Sequence, residues 1–262
     1  MHKTFTIAGM HRSGTSLMAN WFHNSNAFLG FDLLDAASSN KKGHFEDVEF
    51  LELHKKDLRD KGYHETGLLI EKEKDWFFND ENRSIASSII DKRSSFEFWG
   101  WKEPRTALYL EQWKKLIPHL KVISVYREPT LVIDSLYRRL KRNKWYYTRN
   151  PITRLKWWVD IDHNPRKWHH KFSAVYTHYN KKIIDFHKEH PKDSILINIE
   201  DLLTGEEKIR IEIESFLSQN LNFVPFSTVY EKQLMKGKTD PLNLPEIESS
   251  IEIFGLMEDL KV

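Results

Sequence analysis

Between a short apolar run, Thr4 to Ala8, and an amphipathic stretch that opens near Leu17, the chain reads Gly9-Met-His-Arg-Ser-Gly14-Thr-Ser16. Two glycines bracketing four residues let a backbone turn tightly. The N–H groups at the start of the helix that follows then point at whatever anion the turn encloses. Leu17, Met18, Trp21 and Phe22 recur at the three-and-four spacing of one helical face, and Ser13, Thr15 and Ser16 are expected to cap that helix. Strand, glycine loop and helix in this order require an α/β arrangement with an anion site at the carboxyl end of the strand.

The spacing is G-x-x-x-x-G-T-S, whereas a Walker loop carries lysine where this chain has Thr15. That lysine reaches the β- and γ-phosphates of ATP, so a nucleotide kinase loses its central cation here. Arg12 supplies charge from within the loop, and a guanidinium forks across two anionic oxygens. The bland alternative is a glycine turn with a solvated arginine.

Further strands are expected at Phe98 to Lys102, Lys121 to Tyr126 and Ser194 to Ile199, where β-branched and aromatic residues cluster in short runs. Helical patterns fall between them at Leu51 to Leu58, Ser84 to Asp91, Leu108 to Leu116, Thr130 to Leu140 and Phe172 to His187. This alternation predicts a three-layer, P-loop-like α/β fold with a central parallel sheet flanked by helices. We expect one domain over residues 1–262, with a polar stretch at Lys236 to Glu246 as the nearest thing to a linker.

Composition excludes several classes. Forty basic against 38 acidic residues leave a formal charge of +2, so the chain as a whole is no adhesive for nucleic acid and no specific nucleic-acid partner is expected. With no cysteine there is no disulfide framework, cysteine-ligated zinc or thiol nucleophile. Neither the first ten residues nor any later run has the apolar core of a signal peptide or a membrane span, and the expected location is cytoplasmic.

Lys121 to Tyr126 runs into Arg127-Glu-Pro129, and a helix follows through Ile133, Leu136, Tyr137 and Leu140, with the proline suited to its first turn. Arg127 at the strand's end and Ser135 on that helix are expected to converge on one anion. The alternative is a capping arginine and an incidental serine. A Walker B strand would end in an acid for Mg²⁺, and this one ends in a base.

Arg12-Ser-Gly-Thr-Ser16, following the first strand, resembles the 5′-phosphosulfate loop of sulfotransferases that use 3′-phosphoadenosine 5′-phosphosulfate (PAPS). The pair Arg127 and Ser135 is similar to the residues that grip the 3′-phosphate in that family. The likeness runs from Thr4 to about Leu203, and Lys236-Gly-Lys238 is a short match to the basic C-terminal loop of cytosolic members. It implies PAPS as cosubstrate, PAP as product, and Arg12, Ser13, Gly14, Thr15, Ser16, Arg127 and Ser135 as nucleotide-binding residues. Two rivals stay open, a nucleotide kinase or NTPase of related fold and a noncatalytic nucleotide- or polyanion-binding module.

Transfer of this kind needs in-line geometry, cations on the equatorial and leaving oxygens, and a base for the incoming group. Arg12 is the first candidate cation, with Lys102 and Arg105 of Trp101-Lys-Glu-Pro-Arg-Thr106 behind it. That stretch resembles the WGWKDPR element of bacterial relatives, with Glu103 in place of aspartate. Protein cations take the role of Mg²⁺, and no metal is expected. For the base we select Glu46 of Gly43-His-Phe-Glu-Asp-Val48, with His44 as the alternative, since imidazole serves that role in other branches of the family. Helix capping is the competing duty of Glu46 and Asp47.

From Arg138 to Lys171, Arg and Lys alternate with Trp145, Tyr146, Tyr147, Trp157, Trp158 and Trp168. This region is expected either to bind an acceptor by stacking or charge, or to form amphipathic helices with the aromatics inside. The expected acceptor is a saccharide or small molecule, by analogy with bacterial relatives, and oligomeric state stays open.

Overall fold

A computed structural model describes residues 3–34, 43–70, 75–142, 150–230 and 247–262. Four short strands, β1 (Lys3–Ala8), β2 (Phe98–Lys102), β3 (Lys121–Tyr126) and β4 (Ser194–Asn198), form a wholly parallel sheet in the order β2-β1-β3-β4. The expected α/β fold with a central parallel sheet is the observed one. Side chains of alternate strand residues leave by opposite faces, and both faces are covered.

On one face, Phe5 and Ile7 of β1, Ile123 and Val125 of β3 and Ile195 and Ile197 of β4 pack against α1 (Thr15–Asn24), α8 (Leu202–Leu217) and α9 (Phe226–Val229). On the other, Trp99, Trp101, Val122, Tyr126 and Leu196 meet α2 (Val48–Asp60), α3 (Asp80–Asp91), α4 (Leu110–Leu116), α5 (Pro129–Arg142), α7 (Pro165–Glu189) and α10 (Glu248–Leu260). The remaining helix, α6 (Pro151–His163), lies between α5 and α7. Near-continuous apolar strands such as KVISVY are what burial on both faces demands.

Three details bear on the site. Pro129 opens α5, and the Glu128 carboxylate caps it by accepting from the N–H of Thr130 at 3.1 Å and of Leu131 at 2.9 Å. Pro104 opens a 3₁₀ turn over Pro104–Leu108, pinned where Trp101 Nε1 donates to Thr106 Oγ1 at 3.0 Å. The helix α1 has Gly14 as its N-cap, in the left-handed region at φ 91°, with no side-chain cap bond. This corrects the expectation that Ser13, Thr15 and Ser16 cap it.

The basic aromatic region resolves in part into helices. Trp168 is buried, its Nε1 donates to Asp160 at 3.2 Å, and Trp157 packs edge-on to it at 5.2 Å. These aromatics face inward, as in the amphipathic-helix alternative. Trp145, Tyr146 and Tyr147 lie outside the described residues, as do Lys236, Gly237 and Lys238. No helix among the described residues is long and apolar enough to cross a membrane.

Candidate active site

The glycine loop wraps the carboxyl end of β1 so closely that only glycine fits at its two hinges. A Cβ on Gly9 would stand 2.2 Å from the Val125 carbonyl oxygen, and one on Gly14 would stand 2.5 Å from Ile199 Cγ1. Arg12, between them, is itself left-handed at φ 72°, a conformation that costs a non-glycine residue of order 1–3 kcal/mol. The helical ladder begins with Leu17 and Met18 donating to the Gly14 carbonyl, so the N–H groups just before them open toward the loop's concave side. Ser13 Oγ is fully buried with no partner among the described residues.

Positive charge accumulates around this cradle. Burial first, then the charges of Arg139, Arg142, Arg127 and Arg138, push the Arg12 guanidinium down to about 10. Its Nε donates to Ser135 Oγ at 2.8 Å, which ties the loop directly to α5. Arg127 is buried at the end of β3, 3.4 Å from Glu200, and its carbonyl accepts from Tyr176 Oη at 2.8 Å. Like charges gathered in a partly buried space, with an unpaired hydroxyl beside them, form a receptacle for a multiply charged anion.

A second set of groups meets the loop from β2. Lys102, 1% exposed, donates to Glu46 Oε1 at 2.8 Å, to Ser16 Oγ at 3.2 Å and to the His44 carbonyl at 3.2 Å. Burial pushes the His44 imidazole down from its usual value, against the pull of Glu46. Asp47, one residue on, accepts from the Glu49 N–H at 2.9 Å as N-cap of α2 and pairs with buried Arg93. The capping duty thus belongs to Asp47, leaving Glu46 turned to Lys102.

Arg105 pairs with buried Glu103, and its Nε donates to the Glu65 carbonyl at 2.8 Å. Glu103 also accepts from His54 Nδ1 at 2.6 Å, while the indole N–H of Trp113 donates to His54 Nε2 at 3.0 Å. An indole nitrogen only donates, so the imidazole proton sits on Nδ1. Between this chain of bonds and the loop lies a cavity of about 170 Å³, bordered by His11, His44, Glu46, Arg105 and Arg139.

The sulfotransferase family model matches residues 5–221, which includes the loop, Glu46, Lys102, Arg127 and Ser135. The chain belongs to the sulfotransferase family. Among solved structures, a Mycobacterium avium sulfotransferase superposes with a TM-score of 0.64 at 13% identity, covering 98% of this chain and 76% of that one. An Alicyclobacillus acidocaldarius sulfotransferase gives 0.55 at 15% identity, covering 99% and 96%. At such identities these likenesses speak for the shared fold. No curated protein matches the chain in sequence.

In this sulfotransferase the residues singled out by sequence fall into two neighbouring groups. Arg12, Ser13, Gly14, Thr15, Ser16 and Ser135 form the cradle with Arg127 beside it, whereas Glu46, His44, Lys102 and Arg105 gather around the adjoining cavity. Ser135 meets Arg12 directly, so the residue at the middle of α5 reaches the glycine loop. The sequence reading missed His11, Arg139 and Arg142. Arg139 and Arg142 follow Ser135 by four and seven residues, the spacing of one helical face, and that was the available signal.

Proposed function

We propose that this sulfotransferase takes its sulfuryl group from PAPS and passes it to a hydroxyl or amine of a saccharide or small molecule bound in the cavity beside Glu46. The observation that carries the reading is Arg12 bonded to Ser135, with the charges of Arg127, Arg138, Arg139 and Arg142 bearing on it. A donor with phosphates on both sides of its ribose answers that distribution, and the buried, unpaired Ser13 hydroxyl offers a hydrogen bond to it.

In the proposed reaction the acceptor oxygen or nitrogen bonds to sulfur as the bond from sulfur to the 5′-phosphate oxygen breaks. Glu46 takes the acceptor's proton, and the electron pair left on the phosphate is stabilised by Lys102 and Arg12. Lys102 bridges Glu46 to Ser16 of the loop and so couples base to leaving group. Protein cations carry the charge in this scheme without a metal ion. Titration calorimetry tests the donor: PAP is expected to bind in the absence of Mg²⁺ and more tightly than ATP. A preference for Mg-ATP would return the protein to the nucleotide kinases.

A further inference from the structure

His11 stands next to Arg12 in the loop and borders the 170 Å³ cavity together with Glu46 and His44. It is 8% exposed, and its Nε2 is buried with no partner among the described residues. The ring lies edge-on to Tyr179 at 6.3 Å, and its hydrogen bond with the Thr66 backbone favours the protonated form, so the backbone carbonyl accepts from Nδ1. Burial, with Arg105, Arg139 and Lys102 facing it, pushes the imidazole well below its usual value. A neutral ring with its proton on Nδ1 leaves a lone pair on Nε2.

A buried lone pair without a donor is a standing deficit, and a site keeps such a group where a ligand removes it. An anionic group of a ligand does not suit this nitrogen, because a lone pair repels one; it calls for an O–H or N–H. Glu46 needs a donor of its own, the one that receives the sulfuryl group. Glu46 and His11 line the same small cavity of about 170 Å³, so two donors that meet them sit close together on one molecule.

We propose that His11 is a specificity-determining residue of the acceptor site: its Nε2 accepts a hydrogen bond from a second donor beside the reacting one, so the acceptor is a vicinal diol or amino alcohol. The proposal rests on the PAPS-dependent reading above and deepens it. His11 exchanges no proton in the transfer; the reacting group's proton goes to Glu46, and the bond made and the bond broken are those at sulfur already described.

The test uses radiolabelled PAPS with a panel of probes: methyl glucoside, inositol and glucosamine against the simple alcohols cyclohexanol and ethanol. A diol or amino alcohol is expected to turn over with kcat/KM at least about tenfold above either simple alcohol, the scale of one buried hydrogen bond left unmade. His11→Phe is expected to erase that preference and His11→Gln, which keeps an oxygen able to accept, to retain most of it, with PAP affinity unchanged in both. Equal use of the simple alcohols, a preference that survives in His11→Phe, or no turnover of any diol or amino alcohol by an enzyme that binds PAP would overturn the proposal alone. Failure of the unmodified protein to bind PAP would remove the donor reading and this inference together. Should His11→Phe fail to fold, the comparison of probes on the unmodified enzyme and on His11→Gln still decides.

Discussion

The Lys102–Glu46 pair joins the two halves of the site at the scale of single residues. Both side chains are buried, so each leaves the other uncompensated when removed, a loss of about 3–5 kcal/mol for buried pairs. Glu46→Gln keeps an oxygen for Lys102 and is expected to bind PAP normally while kcat falls by about 10²–10⁴-fold, the usual contribution of a general base. Lys102→Met strands the carboxylate and is expected to lower stability by about 3 kcal/mol in urea unfolding, most of it recovered in the double variant with Glu46→Gln. Normal turnover in Glu46→Gln would remove Glu46 as base. Residues of this kind were legible where spacing alone implied their chemistry, as with Arg12 between two glycines. His11 was not, because the role proposed for it depends on its bordering the cavity and on Thr66, far along the chain.

At the scale of elements, the loop's hinges set the geometry, and they differ in what opposes a side chain. At Gly9 the obstacle is a carbonyl of β3, the neighbouring strand, whereas at Gly14 it is the side chain of Ile199. A strand's backbone has nowhere to retreat, but an isoleucine can rotate. Gly9→Ala is therefore expected to cost more stability than Gly14→Ala, with both exceeding about 1 kcal/mol because both positions have positive φ. Paired urea titrations check the order; equal losses would show that the approach to Val125 relaxes freely. The four strands were readable as short β-branched runs between turns. The helix α8 was not, since Ile209-Arg-Ile-Glu-Ile213 alternates as a strand would. Tertiary packing decides it: Ile209, Ile213 and Leu217 are buried at helical spacing while Ile211 is 53% exposed.

Taken as a whole molecule, the sheet carries its charged machinery at the carboxyl ends of its strands, and that arrangement makes the fold sensitive to acid. Burial holds the His11 and His44 imidazoles below the 6.5 of an unperturbed ring. As pH falls through that value the unfolded chain takes up protons that the folded one refuses, so stability declines on acidification. The urea midpoint is expected to drop between about pH 7.5 and about pH 5.5, a range in which ordinary carboxylates stay ionised. The double variant His11→Gln with His44→Gln is expected to flatten that drop, and an unchanged slope would show that these rings titrate freely in the native state. The overall architecture was legible from the alternation of strand and helix patterns, because a parallel sheet covered on both faces writes itself into local sequence.

The contact of Arg12 with Ser135 ties the glycine loop to α5. A loop and helix joined in this way hold the guanidinium in place, and little rearrangement is asked of the protein when a nucleotide arrives. In the proposed cycle this readiness works in both directions. PAP retains every phosphate of PAPS, so spent nucleotide departs slowly, turnover follows its escape, and added PAP acts as a competitive brake.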